Sequence, residues 1–235
     1  ASLAPSEMCI RDRRVAESAW DARDPGPSAV LVCVGVRGPL PQLPHHTLLF
    51  TADWEDNFGR IESGRDLAAE TSIYVSKTSA TDPGVAPEGD EALFLLVPAP
   101  AETGWGRGGV RTPHTDAPGD WKVEQVADRA LAQLARWADI PDLDERIVVR
   151  RTLGPGDFAA EVNAWRGSML GPGHTLAQSA LFRPAVRDRQ VAGLVYAGSS
   201  VRPGIGVPMC LISAEVARER ITGVRAGAPL PGEPA

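Results

Sequence analysis

The stretch "GLVYAGSSVRPGIGVPMCLISAEVA", residues 193–217, constrains the fold more than any other part of the chain. Its first five residues are apolar enough for a short strand. Gly198, Gly204 and Gly206 follow, at positions where a side chain would hold a ligand away from the backbone. Pro208 predicts the start of a helix, because a proline in the first turn loses no hydrogen bond. The pattern therefore predicts a strand, a glycine turn and a helix.

A turn of this kind has two interpretations. Free amides at the helix start, aided by the helix dipole, suit an electron-rich group such as a phosphate or an isoalloxazine carbonyl. Alternatively, the glycines provide positive φ angles for a tight turn that binds nothing. A complete dinucleotide fingerprint needs GxGxxG directly after the first strand and an acidic residue about 20 residues later. No GxGxxG follows the first strand of this chain, so the pattern leaves both interpretations open.

Apolar runs elsewhere in the chain predict a sheet accompanied by helices. The run "SAVLVCVGV" at 28–36 is continuous and rich in β-branched residues, so we expect a strand buried on both faces. Residues 123–138 carry apolar side chains at steps of three and four, which predicts an amphipathic helix that ends before Pro141. Further strands are predicted at 45–50, 73–77, 92–98, 146–151 and 193–197, and shorter helices at 53–64 and 154–165.

This mixture of strands and helices indicates an α/β or α+β fold. Residues 99–120 contain few apolar side chains and are predicted to form a surface insertion. Arg150 and Arg151 are expected at the solvated end of a strand. Asp157 is expected near the start of a helix, where an anion is favoured.

Composition and charge narrow the function. The chain has 235 residues, 43% of them hydrophobic, and a net charge of −6, so it can bury a core but offers no basic surface for nucleic acid. Cys9, Cys33 and Cys210 have no CxxC spacing and form no metal set with the four histidines. We therefore expect a cytoplasmic protein without a metal. No apolar run reaches the ~18 to 20 residues of a membrane span.

Several segments, in a fixed order, resemble the bacterial phytoene desaturases, which are FAD-dependent carotenoid desaturases and isomerases of the flavin amine-oxidase-like superfamily. The resemblance covers about residues 28–219 and corresponds to the carboxyl-terminal half of the family. The segments that carry it are "VGVRGPLPQLPHHTLLF", "DWEDNFGRI", "SIYVSKTSATDPGVAPEGDEALFLLVPAP", "RRTLGPGDFAAEVNAWRGSMLGPGHTLAQSALFRP" and "GLVYAGSSVRPGIGVPMCLISAEV".

The resemblance implies the distal half of a two-domain FAD-dependent oxidoreductase, since family members place GxGxxG in an amino-terminal half. That half would be a partner of this chain. The expected organisation is a mixed substrate-side sheet followed by the closing strand, turn and helix of the FAD domain. The domain boundaries that follow are a non-native or disordered leader at 1–14, a substrate-side domain at 15–150 with an insertion at 99–120, a return to the FAD domain at 151–223 and a flexible tail at 224–235.

The resemblance also implies FAD as the cofactor, because the family's counterpart of residues 197–209 lies along its ribityl and isoalloxazine end. Met209 departs from the family pattern, in which many members carry a small residue. The ADP end of FAD has no counterpart here, so we expect the isolated chain neither to retain FAD nor to be active. The residues expected to contact the cofactor are Gly198, Gly204, Ile205, Gly206, Pro208 and Met209.

Four polar residues in the matched segments are candidates for the substrate or flavin side: His46, Asn163, His174 and Gln178. Alternation along a strand would point His45 and His46 to opposite faces, so at most one of them faces a cavity. A plain strand-end position is the alternative for His46, and a helix cap or surface position is the alternative for His174. No catalytic side chain is assigned, because the flavin carries the chemistry of this family.

The function implied by the resemblance is hydride transfer from a C40 polyene to flavin in carotenoid biosynthesis. The alternatives are a carotenoid isomerase, another oxidoreductase of the flavin amine-oxidase fold, and a non-catalytic module that binds a terpenoid. The expected substrate is long, apolar and insoluble in water. Contact with the inner face of a membrane is therefore expected, through Trp54 and Phe58, which share a helical face; core packing is the alternative for these two residues.

Overall fold

The computed structural model describes residues 20–188 and 191–225. The predicted leader at 1–14, Cys9 and most of the predicted tail lie outside these residues, and the predicted domain boundaries stay predictions. The described residues form two compact units. The sheet unit comprises residues 26–169, and the carboxyl-terminal unit comprises residues 170–225 together with 20–25.

Besides short 3-10 turns, the described residues contain seven strands and five helices. The strands are β1 (Ser28–Val36), β2 (His46–Leu49), β3 (Ile73–Lys77), β4 (Glu91–Ala99), β5 (Val110–Thr112), β6 (Thr115–Ala117) and β7 (Ile147–Leu153). The helices are α1 (Trp54–Ser63), α2 (Trp121–Trp137), α3 (Leu143–Arg146), α4 (Pro155–Glu161) and α5 (Val207–Thr222).

The seven strands form one sheet in the order β2-β3-β4-β1-β7-β5-β6. Every strand pairing in the described residues is antiparallel, so the arrangement is α+β. The expectation of a mixed sheet is wrong, because parallel neighbours need a crossover connection over the face of the sheet. Here α2 lies between β6 and β7, which are not neighbours, and β7 then runs antiparallel to β1.

The two faces of the sheet differ in burial. On one face, alternate residues of β1 such as Val30, Val32 and Val34 pack with β4 and with the apolar stripe of α2 in the core. On the other face, Leu31 and Cys33 are only half-buried, so β1 is not buried on both faces as expected. We call this second side the open face. Its members include Leu31, Cys33, His46, Leu48, Tyr74, Ser76, Phe94, Leu96, Val149 and Leu153.

Arg150 is buried on the core side of β7, where it is 6% exposed. Its Nη2 donates to Glu124 at 2.7 Å and its Nη1 to Asp128, both on α2. The expectation that both arginines lie at a solvated strand end therefore holds for exposed Arg151 and is wrong for Arg150. Two carboxylates on the neighbouring helix neutralise the buried guanidinium, which makes its burial tolerable.

The segment predicted as a surface insertion forms a 3-10 turn and the hairpin β5–β6 at the edge of the sheet. Its residues 104–109, "GWGRGG", do have GxGxxG spacing, although far from the first strand. Their amides face the chain's own side chains, since Gly108 N donates to Asp157 at 2.7 Å and Gly109 N to Thr152 at 2.7 Å. This loop is therefore a packed connection and lacks the free amides of a phosphate site.

Asp157 occupies the predicted position at a helix start. Its Oδ2 also accepts a hydrogen bond from Gly154 N at 2.8 Å, immediately before α4. One carboxylate thus caps the helix and fixes the glycine connection to β5, because both amides donate to the same oxygen.

A second polar cluster closes the end of the sheet where β3 stops and β4 begins. Lys77 is 8% exposed, and its Nζ donates to Leu40 O at 2.8 Å and lies 3.3 Å from Glu91 Oε1. Glu91 also accepts hydrogen bonds from Ser79 Oγ and from Leu40 N. Burial by itself would raise the pKa of Glu91, but these hydrogen bonds and the charge of Lys77 outweigh it and lower the pKa.

Because the pKa of Glu91 is lower in the folded protein, its ionised form stabilises the fold above the unfolded pKa of about 4.3, and this stabilisation is lost as the pH falls through the lowered value. We expect Glu91→Gln to cost about 1 kcal/mol at neutral pH and to flatten the loss of stability below about pH 4.5. Urea unfolding followed by circular dichroism at a series of pH values measures both. Glu88→Gln, at an exposed position, is the control. A Glu91→Gln curve that runs parallel to the wild-type curve contradicts the assignment.

The carboxyl-terminal unit consists of 3-10 turns at Leu176–Gln178 and Ala180–Phe182 and of helix α5. Its small core joins Val186, Val201 and Ala217. The strand predicted at 193–197 is wrong, because this segment forms a single bridge, Val195 with Arg187, within the described residues. A strand needs a ladder of several residue pairings along a neighbouring strand. The turn around Arg187 provides a single pairing.

Candidate functional site

The glycine turn, residues 198–206, leads directly into α5. Gly198, Gly204 and Gly206 have φ angles of 117°, 140° and 101°. L-residues rarely adopt such angles, so the glycines are required by the backbone itself. Pro208 lies in the first turn of α5. The turn and the helix start are therefore as the sequence predicts.

The start of α5 is open on its outer side. No side chain caps this end of the helix in the described residues, and Gly206 and Pro208 are exposed. A Cβ added at Gly206 would meet no atom closer than Pro208 Cδ at 3.9 Å, and one added at Gly198 would meet nothing within 4 Å. A ligand could thus reach the backbone along the turn, and the amides at the helix start would favour electron-rich atoms. Ile205 and Met209 flank this surface and are half-buried.

Arg183 holds the inner side of the glycine turn. Its side chain is fully buried, with the residue 1% exposed. Nε and Nη2 donate to Ser199 O at 3.2 and 3.0 Å, Nη1 donates to Gln178 O at 3.2 Å, and Nη2 also donates to Pro172 O at 3.1 Å. Burial lowers the pKa of Arg183. The guanidinium therefore ties the turn to the loop 172–178 through carbonyl acceptors.

His174 and Gln178, both candidates from the sequence, lie in that same loop. His174 Nε2 is 3.7 Å from the position of a Cβ on Gly204, so the imidazole borders the glycine turn. Loss of hydration and the charge of Arg183 lower the pKa of His174. The Gln178 side chain exchanges two hydrogen bonds with the backbone of Asp24, at 3.0 and 2.9 Å. The structure therefore brings both residues to the turn, with the Gln178 amide already engaged.

The other two candidates belong to the sheet unit. His46 begins β2 on the open face, where its Nδ1 is 2.8 Å from Tyr74 Oη. His45 precedes the strand, and its ring lies 4.1 Å from that of His46, so the expected alternation does not apply to this pair. Asn163 is exposed and has a φ angle of 53° just after α4. Asparagine tolerates this left-handed conformation, which explains the residue as a helix terminator.

A cavity of about 730 Å³ lies in the carboxyl-terminal unit beside the glycine turn, which contributes Arg202 and Pro203 to its lining. Val186, Ile212 and Val216 give it an apolar floor, and Arg202 and Arg220 line its rim. None of the predicted cofactor-binding residues borders it. It therefore adjoins the candidate site through Arg202 and Pro203.

The chain is similar to curated carotenoid desaturases along most of its length. It is 37% identical to the carotenoid 3,4-desaturase of Haloarcula japonica over 211 residues, which are 89% of the chain and 40% of the relative. It is 36% identical to the zeta-carotene-forming phytoene desaturase of Myxococcus xanthus over 197 residues, 83% of the chain and 35% of the relative. The chain belongs to the carotenoid and phytoene desaturase family. The phytoene dehydrogenase of Streptomyces griseus is 36% identical over 202 residues, 85% of the chain and 37% of the relative.

The match to this family is partial in one respect, because the chain spans only 35 to 40% of the length of these desaturases. No protein-family model matches the chain. Among the described residues, no helix is long and apolar enough to cross a membrane, and no group of histidine, cysteine and acidic side chains could hold a metal ion.

The sequence leaves two positions open for Arg183, a contact with a pyrophosphate or carboxylate and a solvent-facing position, and it predicts no site role for Tyr74. The solvent-facing position is wrong, since Arg183 is 1% exposed. Arg183 has no local signal of burial, since its acceptors come from carbonyls elsewhere in the unit. Tyr74 could have been found from strand alternation, because β3 places it on the same face as Ser76, opposite His46 and Leu48. That inference also requires knowing that β2 pairs with β3, which is evident from the structure and not from the sequence.

Proposed function

We propose that the chain is part of an FAD-dependent carotenoid desaturase, in which the glycine turn contacts the flavin and the open face contacts a polyene. When bound, FAD would accept a hydride from the polyene in carotenoid biosynthesis, and a proton would be lost from the neighbouring carbon as the new double bond forms. The observation that carries the proposal is the open, uncapped start of α5 behind three glycines with φ angles above 100°. Sequence similarity to carotenoid desaturases over 83 to 89% of the chain supports it.

The residues of the turn suit the ribityl and isoalloxazine end of the flavin. Gly198 and Gly206 leave the backbone uncovered, and the amides at the start of α5 favour the electron-rich ring oxygens. Arg183 keeps its own charge away from the ligand by donating to carbonyls on the inner side. His174, with its lowered pKa, borders the turn as an uncharged imidazole at neutral pH. The turn therefore binds and orients, without bringing a charge to the ring.

The open face suits an apolar substrate. Leu31, Phe94 and Leu96 are neighbours across β1 and β4 and are only half-buried. Apolar side chains of this kind would bury a polyene and exclude water from it, which limits side reactions with water during hydride transfer. The sheet thus provides one wall of a substrate site.

The carboxyl-terminal unit has surface that further protein would cover. Helix α5 exposes Val207, Leu211 and Ile221 by 76%, 64% and 68%, and exposed apolar side chains of this size are typical of a surface that contacts further protein. The partner in this proposal is the amino-terminal part that the longer relatives have. It would supply the ADP end of the FAD site, so the chain alone would not retain FAD or be active.

The setting of the proposed enzyme follows from its substrate. Trp54 and Phe58 are 59% and 50% exposed at the start of α1, which supports contact with a membrane surface from the cytoplasmic side. A substrate that is insoluble in water would reach the enzyme from lipid.

A flavin titration tests the proposal. The purified chain is mixed with FAD, passed through gel filtration and read at the flavin absorbance band, alone and after co-expression with the amino-terminal region of the Haloarcula japonica relative. We expect flavin in the protein peak only with the added region. Flavin held by the chain alone contradicts the dependence on a partner, and flavin held in neither sample contradicts the assignment of the turn.

Gly206→Ala tests the turn itself. Gly206 has φ 101° and ψ 148°, a region that costs an alanine roughly 1 to 3 kcal/mol. We expect at least a roughly ten-fold loss of flavin affinity in the co-expressed protein, because the backbone that faces the ring must move. Gly223→Ala is the matched control, since Gly223 has φ 74° at the other end of α5. If both variants lose flavin equally, the loss reflects a general destabilisation of the protein, which would contradict the assignment of Gly206 to the flavin site.

A further inference from the structure

The cavity beside the glycine turn has an apolar floor. Its volume of about 730 Å³ lies within the range of roughly 300 to 1,000 Å³ that is typical of small-molecule sites. Val186 belongs to the small core of the unit, and Ile212 and Val216 of α5 complete the floor. Apolar surface of this kind is stabilised when an apolar group replaces water on it. The cavity therefore suits a ligand with a hydrocarbon part.

Three arginines surround this floor. Arg187, Arg202 and Arg220 line the cavity together with one acidic residue, Asp188, which already accepts the hydroxyl of Tyr196 at 2.9 Å. None of the three arginines forms an ion pair with a carboxylate in the part of the chain that the structure describes. The chain as a whole has a net charge of −6. The cavity thus combines an apolar floor with a local excess of positive charge.

Arg202 brings part of this charge to the glycine turn. Its Nε donates to Arg183 O at 3.0 Å, which fixes the base of the guanidinium. Within residues 20–188 and 191–225, Nη1 and Nη2 of Arg202 make no hydrogen bond, so their donors stay available to a ligand. The fork of a guanidinium matches the oxygen atoms of a phosphate or a carboxylate. The arginines therefore favour an anionic group next to the apolar floor.

Helix α5 separates the cavity from the exposed apolar surface that the proposed function assigns to further protein. A helix turns by about 100° per residue, so Ile212, Val216 and Arg220 share one face of α5. Val207 and Leu211 lie on the opposite face. Protein that covers Val207 and Leu211 would leave the cavity open. This arrangement favours a small ligand as the occupant.

We propose that the cavity binds one anionic phospholipid, with its phosphate group at the three arginines and part of an acyl chain on the apolar floor. A phospholipid carries both features in one molecule, and anionic lipids attract basic side chains at a membrane surface. Because Arg202 belongs to the glycine turn, the headgroup would contact the loop that the proposed function assigns to the flavin. The lipid site itself follows from the cavity and does not depend on the proposed function.

Short-chain lipids that stay monomeric test the site. Dihexanoyl phosphatidylglycerol, which is anionic, and dihexanoyl phosphatidylcholine, which has no net charge, are titrated below their micelle concentrations and followed by calorimetry. The protein is the chain alone and the chain co-expressed with the amino-terminal region of the Haloarcula japonica relative. We expect phosphatidylglycerol to bind at least about ten-fold tighter than phosphatidylcholine in both samples. Glycerophosphoglycerol, the same headgroup without acyl chains, should bind at least about ten-fold weaker than the phosphatidylglycerol, because it cannot use the floor.

Substitutions in the lining separate the two parts of the site. Arg187→Gln and Arg220→Gln remove a charge from exposed side chains, so each should weaken phosphatidylglycerol binding about five- to ten-fold and leave phosphatidylcholine binding unchanged. Ile212→Ser should weaken the binding of both lipids by a similar factor, because it removes apolar floor. Arg129→Gln is the matched control, since Arg129 is an exposed arginine of α2, and it should change neither affinity.

Three results overturn the proposal. Equal binding of the two lipids, or unchanged phosphatidylglycerol binding in Arg220→Gln, contradicts the phosphate site. If glycerophosphoglycerol binds as tightly as the lipid, the cavity binds a free phosphate ester and not a phospholipid. If lipid binding disappears when the amino-terminal region is present, the cavity is part of a protein interface. Each of these results leaves the proposed function standing, because the flavin titration tests that function separately.

Discussion

Replacing Gly108 with alanine is expected to destabilise the sheet unit by about 3 kcal/mol or more. A Cβ at this position would lie 2.0 Å from Thr152 O, 2.2 Å from Thr152 C and 2.6 Å from Leu153 N. All three are backbone atoms of β7, which is held in the sheet by its pairing with β1. The clash therefore has no flexible side chain to displace, and β5 must leave the edge of β7.

Urea unfolding followed by circular dichroism measures this loss, and hydrogen exchange localises it to β5 and β7. Gly104→Ala is a matched control in the same segment, because a Cβ on Gly104 would meet nothing within 4 Å. We expect its unfolding midpoint to equal that of the wild type. Equal midpoints for Gly108→Ala and Gly104→Ala would contradict the close approach of the two backbones.

Replacing Arg183 with methionine is expected to destabilise the carboxyl-terminal unit by about 3 kcal/mol. The substitution keeps an unbranched side chain but removes four hydrogen bonds to the carbonyls of Pro172, Gln178 and Ser199. Pro172 is buried, so its carbonyl would lose a partner that water cannot readily replace. The glycine turn would lose its connection to the loop that carries His174.

Hydrogen exchange read by mass spectrometry over residues 196–222 measures this effect. We expect faster exchange throughout that segment in Arg183→Met, and a smaller increase in Arg183→Lys, because an ammonium group cannot reach three carbonyls at once. Arg187→Met is the control, since Arg187 is exposed and only four residues away. If exchange is as slow in Arg183→Met as in Arg187→Met, the guanidinium of Arg183 does not hold the glycine turn against the loop 172–178.

Local pattern predicted much of the sheet unit. The bounds of β1 and β3 match the predicted 28–36 and 73–77, because continuous β-branched runs leave few alternatives. The strand predicted at 193–197 failed, because a strand depends on a partner that local pattern does not reveal. The direction of pairing and the burial of Arg150 likewise depend on α2, which contributes Glu124 and Asp128 from a distant part of the sequence.

The candidate site was predictable to a similar extent. Gly204, Gly206 and Pro208 were recognisable because each answers a local backbone requirement. The GxGxxG spacing of glycines at 104–109 was less informative, because these glycines allow close packing of backbone segments and do not bind a ligand. The burial of Arg183 among carbonyl acceptors could not be recognised, because these acceptors come together only when the unit folds.

The position of β1 has a consequence for synthesis of the protein. β1 is the first of the seven strands to leave the ribosome, yet it lies between β4 and β7, with Val36 paired to Glu91 and Leu31 to Leu153. Its partners emerge much later, and such long-range pairings form slowly. The run "SAVLVCVGV" is uncharged and rich in β-branched residues, so while it waits it is prone to aggregate. A nascent chain of this protein should therefore depend on a chaperone until β7 has been made.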